Sequence, residues 1–177
     1  MSDELWRRSA TALAASIASG EVSAREVLDA HLARAEAVNP SVNAVVAVLA
    51  EEARAAAAAA DEAVAAGAEL GPFHGVPLSV KENIDLAGTP TTNGVVALAE
   101  AIAEVDAPSV ERMRAAGAIP FVRTNLPDFG LRWHTDNALR GATRNAWDPT
   151  RTPGGSSGGE AVAPAPRRAA EGLRQAP

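Results

Sequence analysis

The segment Gly75-Val76-Pro77-Leu78-Ser79-Val80-Lys81-Glu82-Asn83-Ile84-Asp85 decides how the rest of the chain is read. A glycine and a proline two residues apart mark a turn. Leu78 to Val80 then reads as a short buried strand, which leaves Lys81 at its exit. Gly71-Pro72 upstream is a second turn signal, so the strand starts from a break rather than from a helix.

On the N-terminal side the sequence is helical. Leu5 to Ser19 reads as a first helix, with Gly20 placed to end it. Ser23 and Glu26 fit a capping box, S-x-x-E. Val27, Leu28, His31, Leu32 and Ala35 follow on one helical face, and Pro40 is expected to stop that helix. The stripe is expected to be core, and His31 to be a packing residue. Asn43 to Leu49 is a valine-rich extended run. Glu51 to Ala66 is an alanine-rich helix with Gly67 as its stop.

On the C-terminal side Pro108 opens a helix that Gly117 closes. Ile119 to Arg123 reads as a strand, broken by Asn125-Leu126-Pro127. Strands alternating with helices predict an α/β fold with at least part of its sheet parallel. The expected organisation is a single domain over 1–177: an N-terminal helical region (1–70), an α/β region (71–162) and a tail (163–177). In the tail Pro164 and Pro166 rule out a regular helix.

Composition narrows the function classes. The chain has no cysteine, which excludes disulfides, thiolate metal sites and a cysteine nucleophile. Its 16 Lys and Arg against 22 Asp and Glu give a net charge of −6, so it has no electrostatic footprint for nucleic acid or an anionic membrane. Arg167-Arg168 is too small a basic cluster to change that. His31, His74 and His134 lack metal-ligand spacing, so no metal site is expected. The N-terminus has no signal-peptide pattern and no apolar run reaches bilayer length, which makes the cytoplasm the expected compartment.

Two features could carry chemistry. In Gly154-Gly155-Ser156-Ser157-Gly158-Gly159, four glycines around two serines allow unusual torsions and close backbone approach. The run is neither a phosphate-binding P-loop nor a nucleophile elbow. Read alone, it reads first as a flexible linker. Lys81 is a base only if it loses its proton, which burial favours. Read alone, it is foremost a solvated surface lysine beside Glu82. Asp128, Asp136 and Glu160 read as solvated loop charges.

Taken together, the motifs resemble the amidase-signature family. Gly75 to Asp85 is similar to its lysine motif, and Pro153-Gly154-Gly155-Ser156-Ser157-Gly158-Gly159-Glu160 to its glycine–serine motif. Between them, in the family's order, lie Thr91-Thr92-Asn93-Gly94, Thr124-Asn125-Leu126-Pro127-Asp128-Phe129 and Thr143-Arg144-Asn145-Ala146-Trp147-Asp148-Pro149. The likeness runs from about residue 10 to residue 162. It implies the N-terminal part of the amidase-signature fold, in which helices surround a mixed, largely parallel sheet.

The resemblance also implies a reaction. A carboxylic amide is cleaved through an acyl-enzyme on a serine, with a lysine as base and a second serine as proton relay. Lys81 maps to the base and Ser156 to the relay, after a cis Gly155–Ser156 bond. Gly154, Gly155, Ser157, Gly158 and Gly159 form the supporting loop. No cofactor is implied. The partner is a small-molecule amide, with self-association expected because part of the sheet is left uncovered.

The family's nucleophilic serine lies in a later glycine-rich turn, and no serine follows Ser157 here. The expectation is therefore a truncated or frame-shifted amidase, with a catalytically inactive fragment, a binding module or pseudoenzyme, as the alternative. Attack by Ser156 or Ser157 itself would need an oxyanion hole from Gly158 and Gly159. Within the family, Glu160 after Ser-Ser-Gly-Gly resembles the stand-alone amidases more than the amidase-type subunit of the glutamyl-tRNA(Gln) amidotransferase.

Overall fold

The computed structural model describes residues 2–164. Pro166, Arg167, Arg168 and the rest of the tail from residue 165 on lie outside the described residues. The α-helices are α1 (Ala10–Ala18), α2 (Ala24–Val42), α3 (Ala50–Ala65), α4 (Pro108–Ala115) and α5 (Gly158–Val162). The strands are β1 (Val45–Val48), β2 (Pro77–Lys81) and β3 (Ile119–Thr124). The architecture is α/β around a small mixed sheet.

The sheet order is β1-β3-β2. β1 pairs antiparallel with β3, aligning Val45 with Thr124 and Val48 with Val122. The register is irregular between Val45 and Ala47. β2 and β3 run in the same sense: the Ile119 N–H meets the Val76 carbonyl at one end, and the Glu82 N–H meets the Thr124 carbonyl at the other. The described strands thus contain one pair of each kind.

Two helix ends differ from the sequence reading. The first helix is split. Residues Ser2–Arg7 form a 3₁₀ helix, and α1 begins afresh after Ser9, whose Oγ accepts the Ala12 N–H at 3.2 Å. A good N-cap inside an apparently helical run starts a new helix. α2 also runs through Pro40 to Val42. Proline so near a C-terminus forfeits only the bond to the Glu36 carbonyl, a loss the last turn tolerates. The helix ends instead at Asn43, whose φ of 51° is the left-handed conformation of a C-terminal stop. The capping box forms as expected. Glu26 Oε2 accepts the Ser23 N–H at 2.8 Å, and Ser23 Oγ accepts the Glu26 N–H at 3.1 Å.

The chain forms two compact units, the division falling inside α2, β2 and β3. The first comprises Met1–Arg34, Leu49–Leu78 and Pro108–Phe121. Its core is built from small apolar side chains. Ala53, Ala57 and Ala60 form the buried stripe of α3 at i, i+4, i+7, and Leu13, Ile17, Val27 and Leu28 are buried in α1 and α2. His31 packs here, its ring edge-to-face with Phe121 and its Nδ1 donating to the Val27 carbonyl at 2.7 Å.

The second unit comprises Ala35–Val48, Ser79–Ala107 and Val122–Pro177. Val42, Ala44, Ala146 and Val162 form a small apolar cluster, with Val38 and Ala163 against it. Val45, Val80, Leu86, Val122 and Leu126 are buried in this unit too, and many polar side chains lie among them. Lys81, Glu82, Thr92, Arg123, Thr124, Asn125, Thr135, Asn137 and Thr143 are all buried. Buried polar groups persist only where their hydrogen bonds are made, so this unit is organised by a network as much as by apolar burial.

Candidate active site

Lys81 is the last residue of β2 and is only 9% exposed. Its Nζ lies 2.9 Å from Ser156 Oγ and 2.9 Å from Ser157 Oγ, so one amine bridges both hydroxyls. Burial pushes the Lys81 pKa below the usual lysine value, and the Glu160 carboxylate pulls it part of the way back up. A lysine so placed is a competent proton acceptor once neutral, because only the neutral amine has a lone pair to receive a serine proton.

The Gly155–Ser156 peptide bond is cis, as the resemblance implied. The glycines around it answer two different demands. Gly154 has a φ of +92°, which only glycine adopts freely. The other three are short of space rather than torsionally special. A Cβ on Gly155 would lie 2.6 Å from the Arg132 carbonyl oxygen. On Gly158 it would lie 2.2 Å from Thr135 Oγ1, and on Gly159 2.4 Å from the Asn125 backbone nitrogen.

Thr135 and Asn125 fix this loop. Thr135 Oγ1 donates to the Gly154 carbonyl and accepts the Gly158 N–H, each at 3.0 Å. The Asn125 carbonyl accepts the Gly159 N–H at 3.2 Å. Those N–H groups are therefore occupied, and they do not form the oxyanion hole that attack by Ser156 or Ser157 would require.

Glu160 is not a solvated loop charge. Its carboxylate accepts hydrogen bonds from Ser79 Oγ, at 2.8 Å, and from Thr124 Oγ1. Ser79 and Lys81 stand two apart on β2 and so share one face of the strand. That alternation was available in the sequence, but the long-range partner was not. Asp128, by contrast, pairs with Arg132 at 3.4 Å, and Asp136 is exposed.

Next to Lys81, Glu82 serves a different purpose. It is fully buried and bound by Arg140, whose Nη2 donates at 2.6 Å, and by Thr92 Oγ1, also at 2.6 Å. Arg123 donates its Nη2 to the carbonyls of Ile84 and Pro90. Together these hold the turn after β2, and with it the direction in which Lys81 leaves the strand. His74 bonds the Ala60 carbonyl and His134 is exposed. Among the described residues no three His, Cys, Asp or Glu side chains group to hold a metal, and no helix is long and apolar enough to cross a membrane.

A strand-end lysine against paired serines in a glycine loop is the arrangement expected of an amide hydrolase, and the chain belongs to the amidase-signature family, whose model, described as Amidase, matches residues 26–173. Among curated proteins it is 53% identical over 155 residues to the indoleacetamide hydrolase of Bradyrhizobium diazoefficiens, covering 88% of this chain and 30% of that protein. It is 48% identical over 163 residues to a glutamyl-tRNA(Gln) amidotransferase subunit of Acidothermus cellulolyticus, covering 92% and 32%. A solved bacterial aryl acylamidase of the same family superposes with a TM-score of 0.84 at 33% identity, covering 88% and 32%. The chain thus spans about a third of the length of the relatives it matches.

Proposed function

We propose that this chain carries the base and the proton relay of a hydrolase acting on carboxylic amide C–N bonds through a Ser-Ser-Lys mechanism. The supporting observation is the single buried amine, Lys81, at hydrogen-bond distance from two adjacent serine hydroxyls. In this reading neutral Lys81 takes the proton of Ser156. Ser156 in turn takes the proton of a nucleophilic serine, whose oxygen forms the acyl bond as the C–N bond breaks. The proton returns along the same path to the leaving amine. Ser157 holds Lys81 from the other side.

The nucleophile in this reading is not one of the 177 residues, since none after Ser157 is a serine. The chain by itself is then an inactive amidase fragment. The likeness to an indoleacetamide hydrolase favours a stand-alone amidase acting on a small amide. The likeness to an amidotransferase component favours a second reading, an ammonia-releasing subunit of a larger assembly.

Fluorophosphonate labelling read by intact mass tests the proposal. The 177-residue chain is expected to remain unlabelled while folded. A gene product extended to include a nucleophile is expected to label once, with the rate reduced by about 10²-fold or more in Lys81→Ala and Ser156→Ala. Labelling of the short chain would overturn the assignment of the nucleophile, and undiminished labelling of the extended variants would overturn the roles of Lys81 and Ser156.

A further inference from the structure

We propose that Glu160 is a positioning residue of this site, tying the serine loop to the sheet and setting the charge that faces Lys81. The inference deepens the reading of Lys81 as proton acceptor and rests on it. Its basis is a four-point clamp. β2 offers two side chains from one face, Ser79 and Lys81. Lys81 reaches Ser156 and Ser157, while Ser79 reaches Glu160, just beyond them in the chain. The fourth point is Thr124 at the end of β3, fully buried, whose hydroxyl reaches the other oxygen of the same carboxylate. Both hydroxyls donate to Glu160, so both carboxylate oxygens are held.

The other charged groups near Lys81 have hydrogen-bond partners of their own. Glu82, next on the strand, is neutralised by Arg140 and bonded by Thr92. Arg123 on β3 is bound to the carbonyls of Ile84 and Pro90, and Asp128 pairs with Arg132. Glu160 has no basic partner among these; its partners are two neutral hydroxyls. Its charge acts on the Lys81 amine and also on the buried Arg123 guanidinium. It opposes the effect of burial and keeps the ammonium form within reach as the proton is passed on.

The test reads the titration of Lys81 itself. The folded chain is treated with trace acetic anhydride across a pH series, and acetylation of Lys81, which only the neutral amine undergoes, is followed by peptide mass spectrometry. Glu160→Gln keeps the shape and removes the charge, and is expected to move the Lys81 profile to lower pH. Ser79→Ala, a milder change that loosens the carboxylate, is expected to move it in the same direction by less. A cooperative melt of each variant establishes that it is folded. An unchanged or upward-shifted profile in Glu160→Gln, or in Ser79→Ala should the former not fold, overturns the proposal. Turnover plays no part in this readout, so its failure is distinct from a failure of Lys81 as catalytic base.

Discussion

Gly159 is the residue at which the glycine–serine loop is least forgiving. A Cβ there would lie 2.4 Å from the Asn125 nitrogen, 2.5 Å from the Asn125 oxygen and 2.9 Å from the Ala44 oxygen. All three are backbone atoms, which cannot rotate aside. Gly159→Ala is expected to cost about 1–3 kcal/mol, the ordinary range for overpacking, or to prevent folding. A denaturation midpoint within error of the wild type would refute this. The sequence read the four glycines for unusual torsions and close backbone approach without dividing the two demands: the torsion belongs to Gly154 and the crowding to Gly155, Gly158 and Gly159. Crowding is a property of the neighbours, and these neighbours come from distant parts of the chain. That Lys81 and Ser156 come together was legible for a different reason: each sits in a motif that resembles a family pattern. Glu160 was misread as solvated because nothing local reveals that Ser79 and Thr124 meet it.

At the scale of elements, local chemistry was the dependable guide. Ser23 with Glu26 opened α2, Gly67 closed α3 and Pro108 opened α4, each through a bond or torsion made within a few residues. The errors fell where two local signals competed. Ser9 divided a run that looked continuous, and Asn43 rather than Pro40 ended α2. α2 also carries a measurable pH response. His31 is held neutral by burial, its pKa pushed below the usual imidazole value. The unfolded chain takes up a proton near pH 6.5 while the folded one resists, so stability present above that pH is lost as the pH falls. Denaturant melts at about pH 7.5 and 5.5 are expected to show a smaller acid loss in His31→Leu than in the wild type, the carboxylates being common to both. Equal acid losses would place the His31 pKa at its unfolded value.

For the whole molecule, composition gave no sign that the interior divides in two. The first unit is an apolar core of alanine, valine and leucine, whereas the second buries a polar network. Hydropathy cannot anticipate that, because Asn125, Asn137 and Thr143 look like loop residues until their partners are known. The surface carries a further expectation. Trp133 is 90% exposed and Leu131 79%, with Phe129 exposed in the same short segment. Apolar side chains clustered so closely in water favour association. The purified chain is expected to self-associate with rising concentration in sedimentation velocity, and Leu131→Ser with Trp133→Ser to reduce it. A concentration-independent monomer would refute this.

The second unit is drawn from three separate stretches of chain, and Thr143 bonds back to Asn43 across 100 positions while Lys81 waits for a serine 75 positions on. During ribosomal synthesis the nascent chain therefore presents Lys81 and Glu82 with their partners still unmade. Nothing shorter than the stretch through Glu160 contains the full network. The polar interior must close late and nearly all at once, after large loops have been ordered. Until then the emerging polypeptide has charges that water must hold, and a helper that keeps it soluble through that interval would matter more to its yield than any single contact in the finished fold.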